Sequence, residues 1–239
     1  MREVVVIATV IVLGVIGTAV VIISENRSHR INLTTPVTAT RGGVVFSDSF
    51  TDPRSGWNRK PSTGVTYLYV PGGFAATATG NFIYHRGAPY EEPIQQISMS
   101  MTATIAPGAP AGANFGPNCD QGTTTTSDFH YEFELTTDSQ WEILRHQGVA
   151  TNRTEILKEG SAPVAAGPDP DTVVGICATQ SDGHTTRLVM FVDGTQVADI
   201  TDSQNLPGDG WVSGMSFGSE NGAPTTVIAS QFTIRNLGQ

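Results

Sequence analysis

Basic residues are scarce in this chain. Its 239 residues hold 13 Lys and Arg against 22 Asp and Glu, a formal net charge of −9. Phosphate binding needs a basic stripe, so a nucleic-acid partner is not expected. Good helix formers are also few, with nine Leu and two Lys against 30 Thr. With 26 Gly and 14 Pro, this composition argues against a helical bundle and for strands joined by turns. Charged residues make up 15% of the chain, but the hydrophobic share of 38% is ordinary, so wholesale disorder is excluded. There is no G-x-S-x-G, no H-E-x-x-H, no D-x-D-x-D-G and no Gly-rich phosphate loop. Nucleophilic hydrolase chemistry therefore has no motif behind it. The only two cysteines, Cys119 and Cys177, form no C-x-x-C pair, which rules out a zinc knuckle or a thioredoxin-like site.

What is present begins at the N-terminus. Val4 to Ile23 is a run of 20 residues without a charge. A helix of that length spans about 30 Å, the thickness of a bilayer core. The run is longer than a signal-peptide core and ends without a small-x-small site, so an uncleaved anchor is expected rather than a cleaved leader. No Cys follows it, which argues against a lipoprotein. Residues 1–25 are thus read as a transmembrane anchor and residues 26–43, polar and aperiodic, as a flexible linker. The flanking Arg2, Arg27 and Arg30 leave orientation open, because a long following domain can be translocated against a small charge bias.

The cysteines decide it. A single even pair behind a membrane anchor favours a disulfide between Cys119 and Cys177, with two buried thiols as the alternative. A disulfide implies an oxidising compartment, so the domain is placed outside the membrane. Without the charged residues at positions 2, 3, 25, 27, 30 and 41, 9 basic and 20 acidic residues remain from Val44 onward, a net charge of −11.

From Val44 the pattern is that of strands. Ile97, Met99, Met101, Ala103 and Ile105 alternate with Ser98, Ser100, Thr102 and Thr104, the signature of a half-buried strand. Tyr131, Phe133 and Leu135 alternate with His130, Glu132 and Glu134. Asp193-Gly194 between Leu188–Val192 and Thr195–Val197 predicts a hairpin with a type I′ turn. Further strands are expected near 66–70, 73–78, 81–85, 139–146, 153–158, 172–178, 211–218 and 226–236. The Thr123–Thr126 run and Ser161–Asp171 read as loops. Many short strands with no amphipathic helix between them predict an all-β antiparallel sandwich or barrel over residues 44–239.

Phe46-Ser47-Asp48-Ser49-Phe50-Thr51-Asp52-Pro53-Arg54-Ser55-Gly56-Trp57 resembles the opening of concanavalin A-like, laminin-G-type jelly-roll domains. Such domains are common in exported, membrane-anchored proteins of actinobacteria. Leu188–Gly194 is similar to that family's L-x-L-x-V-N/D-G hairpin, and Gln231–Ile234 to its closing strand. The resemblance covers residues 46–237. It implies an antiparallel two-sheet jelly-roll sandwich whose first strand pairs with its last. It leaves function open, since relatives include lectins and hydrolases.

His130, Glu132 and Glu134 share one strand face and are the ligand-binding candidates. Two carboxylates two residues apart can suit paired acid/base work on a glycoside, but polar positions on an alternating strand normally meet solvent. No catalytic residue, metal ligand or cofactor is therefore assigned. Asp169 and Asp171 have calcium-type chemistry but no calcium-loop pattern, and are read as a solvated turn. Trp57, Trp141 and Trp211 are expected in the core rather than stacked on sugars. Asn26, Asn32 and Asn152 begin N-x-S/T triplets, which are common by chance. The reading is a membrane-anchored extracytoplasmic binding module, non-catalytic, with a cell-wall or other glycan or a cell-surface protein as partner. The alternatives are a glycoside hydrolase using Glu132 and Glu134, or a structural, partner-docking ectodomain.

Overall fold

Alternating sequences become paired strands in the computed structural model, which describes residues 42–238 except 62, 81, 122–128, 148–152, 181, 205–209 and 220–221. The expected anchor, most of the linker, the Thr123–Thr126 run and the three N-x-S/T asparagines lie outside the described residues. Among the described residues there is no helix, and so none long and apolar enough to cross a membrane.

All strand pairs are antiparallel. One sheet is built from β1 (Gly43–Asp48), β2 (Val65–Val70), β3 (Gly73–Ala78), β5 (Gln96–Ile105), β10 (Asp171–Thr179), β11 (Thr186–Val192), β12 (Thr195–Asp202) and β14 (Thr225–Asn236). Its order is β12-β11-β10-β5-β14-β3-β2, with β1 also paired to β14. The other sheet holds β4 (Phe82–Gly87), β6 (Ala113–Gln121), β7 (Phe129–Thr136), β8 (Gln140–Gln147), β9 (Arg153–Ser161) and β13 (Trp211–Ser219). Its order is β4-β13-β6-β7-β8-β9.

The two sheets form the expected sandwich, and the first strand does pair with the last. A shift in register between Ala229 and Gln231 divides β14. Its first half pairs β3 and its second half pairs β1, while β5 runs along its other side. The Asp193-Gly194 turn has φ of 48° and 77°, both positive as a type I′ hairpin requires. The segment after Ser161 is irregular up to β10, as expected for a loop.

The core lies between the sheets. β5 sends in Ile97, Met99, Met101, Ala103 and Ile105, and β7 sends in Tyr131, Phe133 and Leu135. Phe133 lies so close to β10 that a Cβ on Gly175 would overlap its ring. Cys119 and Cys177 are bonded, with Cα atoms 6.7 Å apart, and join β6 to β10 across the core. Both lie inside strands. A second tie crosses the sandwich beside it. Arg145 on β8 donates through Nη1 to both Asp202 oxygens at 2.6 and 2.7 Å, and the Tyr131 hydroxyl donates to Asp202 at 2.8 Å.

The opening motif has a local cause. The Asp48 carboxylate accepts from the Phe50 amide at 2.7 Å, the Ser55 hydroxyl at 2.5 Å and the Trp57 indole at 2.8 Å. These bonds fix the turn in which Phe50 has a positive φ of 58°, and they seat Trp57 against Phe50, Phe74 and Phe232. Trp141 and Trp211 are also core residues, and their indoles donate to the Ser161 carbonyl and the Thr179 hydroxyl.

Candidate functional site on the six-stranded sheet

With Tyr131, Phe133 and Leu135 pointing into the core, strand geometry turns His130, Glu132 and Glu134 to the outer face of the six-stranded sheet. Register then chooses their neighbours. On β8, His146 lies opposite His130 and Leu144 opposite Glu132. On β6, Asp120 lies opposite His130 and Asn118 opposite Glu132. His85 comes from β4 at the sheet edge, where it pairs with Ser216 of β13. Its imidazole crosses a strip of small residues, since Ser216 in turn pairs with Gly116 of β6.

The outcome differs from the solvated face that alternation predicts. Glu132 is completely buried and Glu134 is 2% exposed. The reason is mutual shielding, because the imidazoles that alternate outward close over the carboxylate between them. Nε2 of His85, His130 and His146 lies 3.3, 2.8 and 2.7 Å from the same oxygen, Glu132 Oε1. His146 makes this contact off the hydrogen-bond axis. The three rings pack on one another, those of His130 and His146 stacked at 4.4 Å and His85 edge-on to His130 at 4.4 Å.

Each imidazole uses its other nitrogen on a separate partner. His85 Nδ1 meets Ser216 Oγ at 3.3 Å, and His146 Nδ1 meets Thr154 Oγ1 at 3.0 Å. His130 Nδ1 faces Asp120 Oδ1 at 3.7 Å, and that oxygen accepts from Asn118 at 3.1 Å. These partners fix which ring nitrogen faces the centre.

The charges follow from this packing. Burial works against an ionised Glu132, but His85, His130, His146 and Glu134 outweigh it and hold the carboxyl well below its ordinary value. Burial lowers His85, against the pull of Glu132. Burial raises Asp120, against His130 and His85. The site thus presents one fixed anion, Glu132, under a rim of imidazoles whose side chains are 12 to 32% exposed. The rim can exchange hydrogen bonds with a ligand, and the centre can hold a cation.

Of the expected site residues, the structure brings His130, Glu132 and Glu134 together on one buried patch. Sequence reasoning missed His85, His146, Asp120 and Asn118. His146 had a usable signal, since a hairpin turning at Thr137-Asp138-Ser139 sets it opposite His130. His85 had none. Asp169 is exposed and Asp171 is buried. Burial, then Asp193 and Asp169, push Asp171 up to about 6. The solvated turn expected there therefore applies to Asp169 alone.

No protein-family model matches this chain, and no curated protein matches it. Solved structures do. A Bacillus subtilis protein of unknown function with a galectin-like fold matches at TM-score 0.54 and 9% identity, over 82% of this chain and 97% of that one. The endo-β-1,4-glucuronan lyase of the fungus Trichoderma reesei matches at TM-score 0.53 and 10% identity, over 81% and 96%. The carbohydrate recognition domain of Emp46p, in its metal-free form, matches at TM-score 0.51 and 10% identity, over 74% and 88%. At such identities the likeness shows the fold, a galectin-like, concanavalin A-like jelly roll.

Proposed function

We propose that this protein is a membrane-anchored, extracytoplasmic module that binds glycans on the outer face of its six-stranded sheet. The observation that carries this reading is the gathering of His85, His130, His146 and Asp120 around the buried Glu132. Sugar hydroxyls are donors and acceptors at once, and the partly exposed imidazoles held over the buried carboxylate offer both complements in fixed positions. The jelly-roll likeness to a carbohydrate recognition domain supports the ligand class. The uncharged run from Val4 to Ile23 supports the anchor, and the Cys119–Cys177 bond supports an oxidising compartment. Cell-wall polymers are the favoured glycans.

A glycan-array screen of the domain from residue 44 tests the binding. We expect hits that weaken at least tenfold in His130→Ala and Glu132→Gln. An array without hits, or hits indifferent to both variants, overturns the reading. Deleting residues 1–30 tests the anchor separately, because the shortened protein should leave the membrane fraction.

A second reading has a specific observation behind it. Glu132 and Asp120 flank His130 and are pushed in opposite directions, one held ionised and the other raised. Paired carboxyls with divergent ionisation suit base and acid roles in polysaccharide cleavage. This pair differs from the Glu132 and Glu134 couple that the sequence suggests. Turnover of any array hit that vanishes in Glu132→Gln would favour it over simple binding.

A further inference from the structure

The imidazole cluster has more nitrogens than its carboxylate can use. A carboxylate oxygen offers about two lone-pair sites. Glu132 Oε1 has three imidazole Nε2 atoms within 3.3 Å. The crowding is visible at His146, whose buried Nε2 lies 2.7 Å from the oxygen but off the hydrogen-bond axis.

Orientation points the same way. All three Nδ1 atoms face an outer oxygen, on Ser216, Asp120 and Thr154, and all three Nε2 atoms face inward. Metal-ligating histidines show this pattern, in which the distal nitrogen is held by a carboxylate or hydroxyl and the proximal one is aimed at the ion. The chain has five histidines, and three of them meet here from β4, β7 and β8. The coordinating atoms of His85, His130 and Glu132 lie within 4.8 Å of one another, and His146 Nε2 joins this trio through Glu132 Oε1, at 2.7 Å. Tetrahedral zinc, with bonds of about 2.0–2.1 Å, places its donors about 3.3 Å apart. Of the three nitrogen-to-oxygen separations, that of His85 and Glu132 is already 3.3 Å, and those of His130 and His146 need to open by about 0.5 Å.

We propose that His85, His130, His146 and Glu132 form a binding site for one divalent transition-metal ion of the zinc class. Three imidazoles and one carboxylate suit zinc, and do not suit calcium or magnesium, which take oxygen ligands. The metal site shares these four side chains with the glycan reading but does not rest on it, since metal uptake is read with no glycan present.

The test uses the full-length protein in detergent, stripped with a chelator and dialysed against zinc chloride. We expect one zinc per chain, no comparable uptake of calcium, and at least tenfold weaker binding in His130→Ala and His146→Ala. The exposed His184 serves as control, and His184→Ala should bind as the parent does. Near-ultraviolet circular dichroism reports whether each variant is folded. X-ray absorption at the zinc edge needs no variant, and should show three imidazoles and one further oxygen-type ligand on the parent protein. Absence of stoichiometric zinc, or a bound zinc with fewer than two imidazoles, overturns the site. So does zinc uptake unchanged in a folded His130→Ala, His146→Ala double variant.

Discussion

The β7–β8 hairpin carries two buried polar clusters, one on each face, and they are built on opposite principles. On the core face, Arg145 and Tyr131 close on Asp202. Burial opposes the charge on Arg145, but its bonds to Asp202 and Glu155 outweigh this and raise its pKa. Nη1, Nη2 and both Asp202 oxygens have partners, and only Arg145 Nε lacks one. On the outer face, three imidazoles crowd one oxygen of Glu132. The first cluster is nearly matched in donors and acceptors and serves to hold the sheets together. The second is mismatched and asks for something further. Balance of hydrogen-bonding capacity, more than burial or charge, separates a brace from a site.

That contrast breaks most visibly at the brace. Arg145→Ala should cost about 3–5 kcal/mol in a denaturant titration, because it strands Asp202 in the interior. Next comes the neighbouring tie between the sheets. Replacing Cys119 and Cys177 together by Ala should cost about 4 kcal/mol in the chain-entropy model, the closed loop being 58 residues. The loss should appear as an earlier unfolding midpoint with little change in the folded spectrum.

Asp171 offers a finer probe, as a buried carboxyl beside two others, Asp193 and Asp169. Its folded value of about 6 exceeds the ordinary value of 3.8, so the folded state binds the extra proton. Stability from this group is therefore full below about pH 4 and falls as pH rises to about 6. Asp171→Asn should remove that slope and stabilise the protein at pH 7 by about 1–3 kcal/mol. A slope that survives the substitution would place its origin elsewhere. The smallest effect is expected at the centre of the outer cluster. Without metal, Glu132→Gln should change stability by about 1 kcal/mol, since the amide oxygen still accepts from His130. A loss as large as that of Arg145→Ala would mean that the outer cluster is a brace too.

Local pattern carries much of this architecture in plain view. Alternation in 97–105 and 129–136, the Asp193-Gly194 turn and the Phe46–Trp57 opening each report on neighbours a few residues away. Their outcomes follow from propensity and turn chemistry. The cysteine pair was readable from number and context. His85 was not, because its meeting with His130 passes through β13 and β6, and nothing in residues 82–87 encodes that order. Alternation also assigned Glu132 and Glu134 to the outer face correctly, yet it carries no information on whether outward side chains shield one another. The buried carboxylate therefore emerges only from the folded arrangement.

The place of β14 has a consequence for how the chain comes together. Gly43 pairs with Asn236, so the domain's opening strand waits for its closing one. β14 is also flanked on both sides, by β5 and by β3 with β1. A nascent chain that has not yet released residues 225–236 thus has a gap inside its larger sheet, bordered by strands with open edges. Such pairing across nearly the full sequence makes folding slow, and open edges invite association with other chains. Assembly of the sandwich is consequently an event that follows synthesis of the last dozen residues of strand, and a ribosome holding them back keeps the whole domain unfinished.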